Sequence, residues 1–108
     1  QQREVTAMAT HRNYGARVRI WDSGDSFADR YTILPPRTAG ADWRGRGRDW
    51  QGIGTGAHPF HPQGFGQHIE CPAGSHLGVR IQWDALPVDA QRFARQTFPA
   101  AWLPQSET

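Results

Sequence analysis

Eight of the chain's twelve glycines fall between Gly40 and Gly66. Glycine suits neither helix nor strand interiors, because it loses the most backbone freedom on ordering and brings no side chain to bury. The stretch 37–66 therefore reads as a long loop with room for one short strand, Trp50 to Gly54. Regular structure has to come from the segments on either side. A loop of that length in a compact domain is uncommon and tends to be functional or mobile.

Upstream, Ala16, Val18 and Ile20 alternate with Arg17 and Arg19 before Trp21 and Asp22. Period-two alternation with β-branched residues predicts a half-buried strand. Asp22-Ser23-Gly24-Asp25-Ser26 is turn chemistry. Asp29 to Leu34 predicts a second strand, with Tyr31 and Ile33 on one face and Arg30, Thr32 and Leu34 on the other. Pro35-Pro36 ends it, since proline cannot donate to a ladder. Residues 17–34 are thus expected to form a β-hairpin with a longer loop.

Downstream, Gln67 to Cys71 reads as a short strand. Leu77, Val79, Ile81 and Trp83 then alternate with Gly78, Arg80 and Gln82, the best strand pattern after the hairpin. Val88 to Phe98 reads as a helix, with Val88, Phe93, Ala94 and Phe98 on one face and Asp89, Gln91, Arg92, Arg95 and Gln96 on the other. Pro87 suits its first turn, Asp84 or Asp89 complements its dipole, and Pro99 stops it. The expected fold is α+β: a small antiparallel β-sheet, one C-terminal helix and a long Gly/Pro/His-rich loop. Residues 1–14 lack a period and read as a flexible N-terminal arm, 15–103 as a single domain with Trp102 folding back on it, and 104–108 as a frayed tail.

A chain of 108 residues is one domain's worth of polypeptide. Five Trp and five Phe carry a large share of its buriable area. No apolar run is long enough to cross a bilayer, and no basic-then-apolar segment opens the chain. The first residue, Gln1, leaves room for a removed leader. Cys71 is the only cysteine, so no intrachain disulfide forms, which fits a reducing compartment. Every basic Lys/Arg-type residue is Arg, at a formal net charge of only +2. A GC-rich coding sequence explains that usage blandly; selection for planar, bidentate contact with carboxylate or phosphate explains it functionally.

Three segments carry a family resemblance. They are Arg17-Val18-Arg19-Ile20-Trp21-Asp22 with Asp29-Arg30-Tyr31-Thr32-Ile33, then His58-Pro59-Phe60-His61-Pro62-Gln63-Gly64-Phe65-Gly66-Gln67-His68, then His76-Leu77-Gly78-Val79-Arg80-Ile81 with Leu86-Pro87. In order and spacing they cover most of residues 14–98, and they resemble a group of small proteins found on phages, plasmids and other mobile elements of bacteria. No agreed activity attaches to that group. The resemblance implies a mobile-element accessory role in the cytoplasm of a bacterial host. The Arg/Gly/Trp stretch near residues 37–50 is longer here than in similar proteins.

Three constellations would carry chemistry. His58-x-x-His61, six residues, and His68-x-x-Cys71, with His76 close behind, place four or five N/S ligands within nineteen residues. Zinc takes such donors in paired x-x spacing, and glycines let the loop turn tightly. Against this, Pro59 and Pro62 hold each preceding His extended. The same histidines would equally hydrogen-bond loop backbone or stack on Phe60 and Phe65. A catalytic version would use His61 or His68 as base near Asp22, Asp25 and Asp29, with Arg30 steadying a phosphoryl anion, as in a small nuclease or phosphodiesterase. No nucleophile, phosphate-loop or His-Glu-x-x-His motif accompanies it.

The third is Arg44-Gly45-Arg46-Gly47-Arg48 between Trp43 and Trp50, with Arg37 upstream. Guanidiniums and indoles suit a phosphate backbone with stacked bases. They suit a protein partner equally, since Trp and Arg dominate binding hot spots. Asp42 and Asp49 bracket the run and partly cancel its field. The leading expectation is a non-enzymatic accessory protein of a phage or mobile element. It would use Arg37, Trp43, Arg44, Arg46, Arg48 and Trp50 to occlude a macromolecular partner, a host or defence complex that it inhibits or modulates. A protein complex leads as the partner, nucleic acid follows, and no membrane is implied. A zinc module or metal-dependent enzyme on His58, His61, His68, Cys71 and His76 is the alternative; otherwise no cofactor is expected.

Overall fold

A computed structural model describes residues 17–24, 29–40, 50–56 and 66–104. Five strands form one sheet: β1 (Arg19–Asp22), β2 (Tyr31–Leu34), β3 (Gln51–Thr55), β4 (Gln67–Glu70) and β5 (Val79–Ile81). Their order is β4-β3-β2-β1-β5, and every neighbouring pair is antiparallel. The architecture is the small α+β fold expected, with one α-helix among the described residues, α1 (Val88–Thr97). The hairpin pairs Arg19 with Leu34 at one end and Asp22 with Tyr31 at the other. The Trp50–Gly54 and Gln67–Cys71 stretches supply β3 and β4 almost as read.

Side chains on a strand point alternately to the two faces. Here both faces are covered. On one face Ile20, Tyr31, Ile33 and Ile53 meet Leu86, Ala90, Ala94, Phe98 and Leu103. Each fully buried isoleucine there contributes about 1.5–3 kcal/mol relative to exposure. Small Ala90 and Ala94 let α1 lie close to the sheet, and Phe98 and Trp102 follow with their rings 6.1 Å apart. Trp102 does fold back: it packs on this core, and its carbonyl accepts the Val18 N–H at 3.0 Å. Gln91 ties α1 to the turn before it, donating to the Trp83 and Leu86 carbonyls at 3.1 and 3.0 Å.

The other face is closed by the chain itself. Alternating antiparallel pairings make β4 and β5 run in the same direction, so residues 71–78 must cross the sheet between its two edges. On the way Cys71, Ala73 and Leu77 pack over Trp21 and Leu34. This crossing explains why all four residues of β2 are buried, where alternation alone predicts half.

Three sequence expectations shift. The strand around Leu77 is only Val79–Ile81; Leu77 belongs to a 3-10 turn and packs on the far face. The second hairpin strand starts at Tyr31, not Asp29. Val88 is 66 % exposed and does not join the helix face. At 100° per residue it lies about 200° around the axis from Ala90, and Ala90, Ala94 and Phe98, at i, i+4 and i+8, form the buried row instead.

Candidate functional site

Strand pairing sorts the candidate residues to opposite ends of the sheet. Arg19, Leu34, Gln51 and Glu70 mark one end; Asp22, Tyr31, Thr55 and Gln67 mark the other. The connection between β2 and β3 leaves and returns at the first end, and that between β3 and β4 at the second. Gly40 and Trp50 bracket the Arg-Gly segment, whose Trp43, Arg44, Arg46 and Arg48 lie outside the described residues. Gly56 and Gly66 bracket the His segment, whose His58 and His61 also lie outside them.

At the first end the backbone is held firmly. Pro35 and Pro36 are fully buried, and the buried Arg19 donates from Nε to the Pro35 carbonyl at 2.9 Å. The guanidiniums of Arg19 and Arg80 both stack on Trp21, at 5.8 and 5.0 Å from its ring centroid. From this base a 3-10 turn, Arg37–Ala39, carries Arg37 to the surface. Trp50 is 47 % exposed, although its carbonyl is fixed by the Cys71 N–H at 3.0 Å. An indole half in solvent on a pinned backbone loses little entropy when a partner covers it, which favours a contact role.

The second end is polar and internally satisfied. Asp22 Oδ1 accepts from Arg30 Nε at 3.1 Å and from the Gly24 N–H at 2.8 Å. The Arg30 hydrogen bond is the main influence holding the Asp22 carboxyl below its ordinary range; burial works against it, and the Gly24 N–H adds to it. The stability this pair contributes is therefore present above pH ~4 and lost as pH falls through the lowered value, and for such a half-exposed pair it is at most about 1 kcal/mol. Asp29 accepts from Gln67 Nε2 at 2.8 Å, and its carboxylate lies where a Cβ on Gly54 would stand. Asp25 lies outside the described residues. The Gln67 link spans 38 positions in the chain; only the strand register could have revealed it.

His68, Cys71 and His76 do not converge. His68 stands opposite Ile53, so it shares the helix-covered face at the sheet's edge, where it is exposed. Cys71 packs over Leu34 on the reverse face. An x-x spacing brings two ligands together on a turn or helix, but along an extended strand i and i+3 point to opposite sides. His76 is exposed on the 3-10 turn Ser75–Leu77. Among the described residues no three His, Cys, Asp or Glu side chains are grouped to hold a metal ion. Burial pushes the Cys71 thiol up, leaving it protonated at neutral pH and a poor nucleophile.

No helix among the described residues is long and apolar enough to cross a membrane. Comparison with protein-family models, with curated proteins and with solved structures finds no match to this chain.

Proposed function

We propose that this is a non-enzymatic binding protein that covers part of a macromolecular partner with the Arg37–Trp50 end of its sheet. The observation that carries the reading is Trp50: a large indole, 47 % exposed, on an immobilised strand start. Arg37 is exposed on the other side of the Arg-Gly segment. Trp and Arg on a rigid support are the side chains that give most affinity per residue. A protein complex is the preferred partner, and the sequence resemblance supports a host or defence complex of a bacterium, inhibited in the cytoplasm by a phage or mobile-element accessory protein. At only +2 the chain lacks the strong field that drives non-specific nucleic-acid binding.

A second reading draws on the other end. The residues bracketing the His segment, Gly56 and Gly66, stand at the same end as Asp22, Asp29 and Arg30, the groups a metal-assisted phosphodiesterase would need. Asp22 and Asp29 are already engaged by Arg30, Gly24 and Gln67, so the first reading is preferred.

One affinity-capture series from bacterial extract separates these readings. The wild-type chain retains a discrete protein, and Arg37→Ala combined with Trp50→Ala reduces its retention at least about tenfold, with melting unchanged. Nuclease treatment and chelator leave retention intact. Retention abolished by nuclease, with a steep fall as salt rises, identifies nucleic acid instead. Stoichiometric zinc in the purified protein, with binding lost to chelator, moves the function to the His segment.

A further inference from the structure

The sheet ends at β5, and the phase of the hydrogen bonds determines which backbone groups of that strand face outward. The Ser23 N–H donates to the Arg30 carbonyl at 2.8 Å, and these residues stand directly opposite each other, one step beyond the Asp22–Tyr31 pair. Along an antiparallel strand, alternate residues bond to opposite neighbours. Ser23, Trp21 and Arg19 therefore bond toward β2, and Asp22 and Ile20 bond toward β5. Their partners across that ladder are Val79 and Ile81. The N–H and C=O of Arg80 are left pointing out of the sheet. So are the Gly78 carbonyl and the Gln82 N–H, each trans across its peptide bond to a group that points in. No described residue hydrogen-bonds to any of these groups. Gln82 keeps extended backbone, φ −86° and ψ 161°, so the row continues past the last residue of β5.

The side chains of this edge differ between the two faces. Val79 and Ile81 share the face of Ile20, but Val79 is 70 % exposed. Arg80 is on the other face, over the Trp21 ring at 5.0 Å from its centroid. It is exposed and meets no carboxylate among the described residues. The ring contact positions the guanidinium and leaves its N–H donors to other partners. We propose that the β5 edge binds an extended segment of another protein, antiparallel, with an acidic residue opposite Arg80 and aliphatic residues opposite Val79 and Ile81. In strand addition the backbone bonds supply affinity and the alternating side chains supply selectivity. Opposite charges directly across a ladder attract, and like charges repel. A second copy of this chain is therefore a poor occupant, because antiparallel self-pairing centred on β5 sets Arg80 against Arg80. An acidic residue there meets a guanidinium already held in place, and its aliphatic neighbours cover Val79. The inference stands apart from the binding end at Arg37 and Trp50 and needs neither residue.

The full chain, labelled with ¹⁵N, is titrated with the terminally blocked peptide Thr-Val-Glu-Val-Thr. The comparison peptides carry Gln for Glu, or a methyl group on the Glu nitrogen. Saturable shifts and slowed exchange at the Arg80 and Gln82 amides, the ones that point outward, are the expected result, with no detectable binding of the N-methylated peptide. Gln in place of Glu weakens binding about threefold or more, and Arg80→Gln removes that preference. Gln82→Pro, which deletes an outward N–H and no ladder bond, weakens binding about fivefold with melting unchanged. No shift with the Glu peptide, equal binding of the Glu and Gln peptides, undiminished binding after N-methylation, or shifts confined to β4 overturns the proposal. Protection of the Arg80 amide that grows with protein concentration in the absence of peptide assigns the edge to a second copy and overturns it too.

Discussion

Gly52→Ala lowers the stability of this domain by about 3 kcal/mol or more. Gly52 lies in β3, on the side of the sheet that residues 71–78 cross, beside Leu34 of β2. A Cβ there would stand 2.7 Å from Leu34 Cδ2 and 3.0 Å from Leu34 Cα, and closer still to the Ile33 carbonyl oxygen. Two of these atoms are backbone, so no rotamer change relieves the clash. Leu34 is fully buried under the crossing, against Trp21 and Leu77, and has nowhere to go. The added methyl must prise β3 from β2 at the middle of the sheet. A small domain's whole stability is about 5–15 kcal/mol, so the loss is a large part of it. Urea unfolding followed by tryptophan fluorescence measures it. Val88→Ala, at a site 66 % exposed on α1, serves as the neutral comparison. A midpoint for Gly52→Ala equal to wild type would mean that β2 and β3 are not in this register.

Gly78→Ala is the second large effect, about 3 kcal/mol, by a different mechanism. Gly78 has φ +111° and ψ −150°, a region that residues with a Cβ essentially do not enter. It ends the Ser75–Leu77 turn and delivers the chain to β5. Its hydrogen faces the turn after β1, where a Cβ would stand 2.6 Å from Ser23 Cα and would overlap the Asp22 carbonyl. The variant therefore loses both the turn geometry and the close approach of the crossing to β1. Because β5 is an edge strand held only by β1, its amides should exchange with solvent faster than those of β2 and β3 when the variant is compared with wild type. Exchange accelerated equally across all five strands, without a preference for Val79–Ile81, would contradict this placement.

These two glycines show where local pattern ends. Alternation over Val18–Trp21 and Tyr31–Ile33, with proline after Leu34, was enough to locate the hairpin, because each strand answers to its own neighbours. Pro99 and the spacing of Ala94 and Phe98 located α1 for the same reason. Nothing local states that β5 joins β1 rather than β4. That choice depends on the crossing of 71–78, which buries Leu34 and Trp21 and in turn demands the missing side chain at Gly52. Hydrophobicity alone puts Val88 on the helix face; which row of α1 meets the sheet is decided by Ala90 and Ala94, of which the sequence pattern marks only Ala94.

The candidate site was legible to a similar depth. Residue type marked Arg37 and Trp50 as contact residues, and both are exposed. A single strand between the Arg-Gly and His segments implies that they leave from opposite ends of a sheet, and β3 fills that place. The x-x spacing of His68 and Cys71 misleads because it falls on and just beyond a strand.

Oxidative footprinting of the captured complex tests the binding end most directly. The account predicts that Trp50 loses at least about half of its oxidation rate when the partner is bound, while His68 and His76, outside the Arg37–Trp50 surface, oxidise as in the free chain. Protection of His68 and His76 with Trp50 unchanged would contradict it.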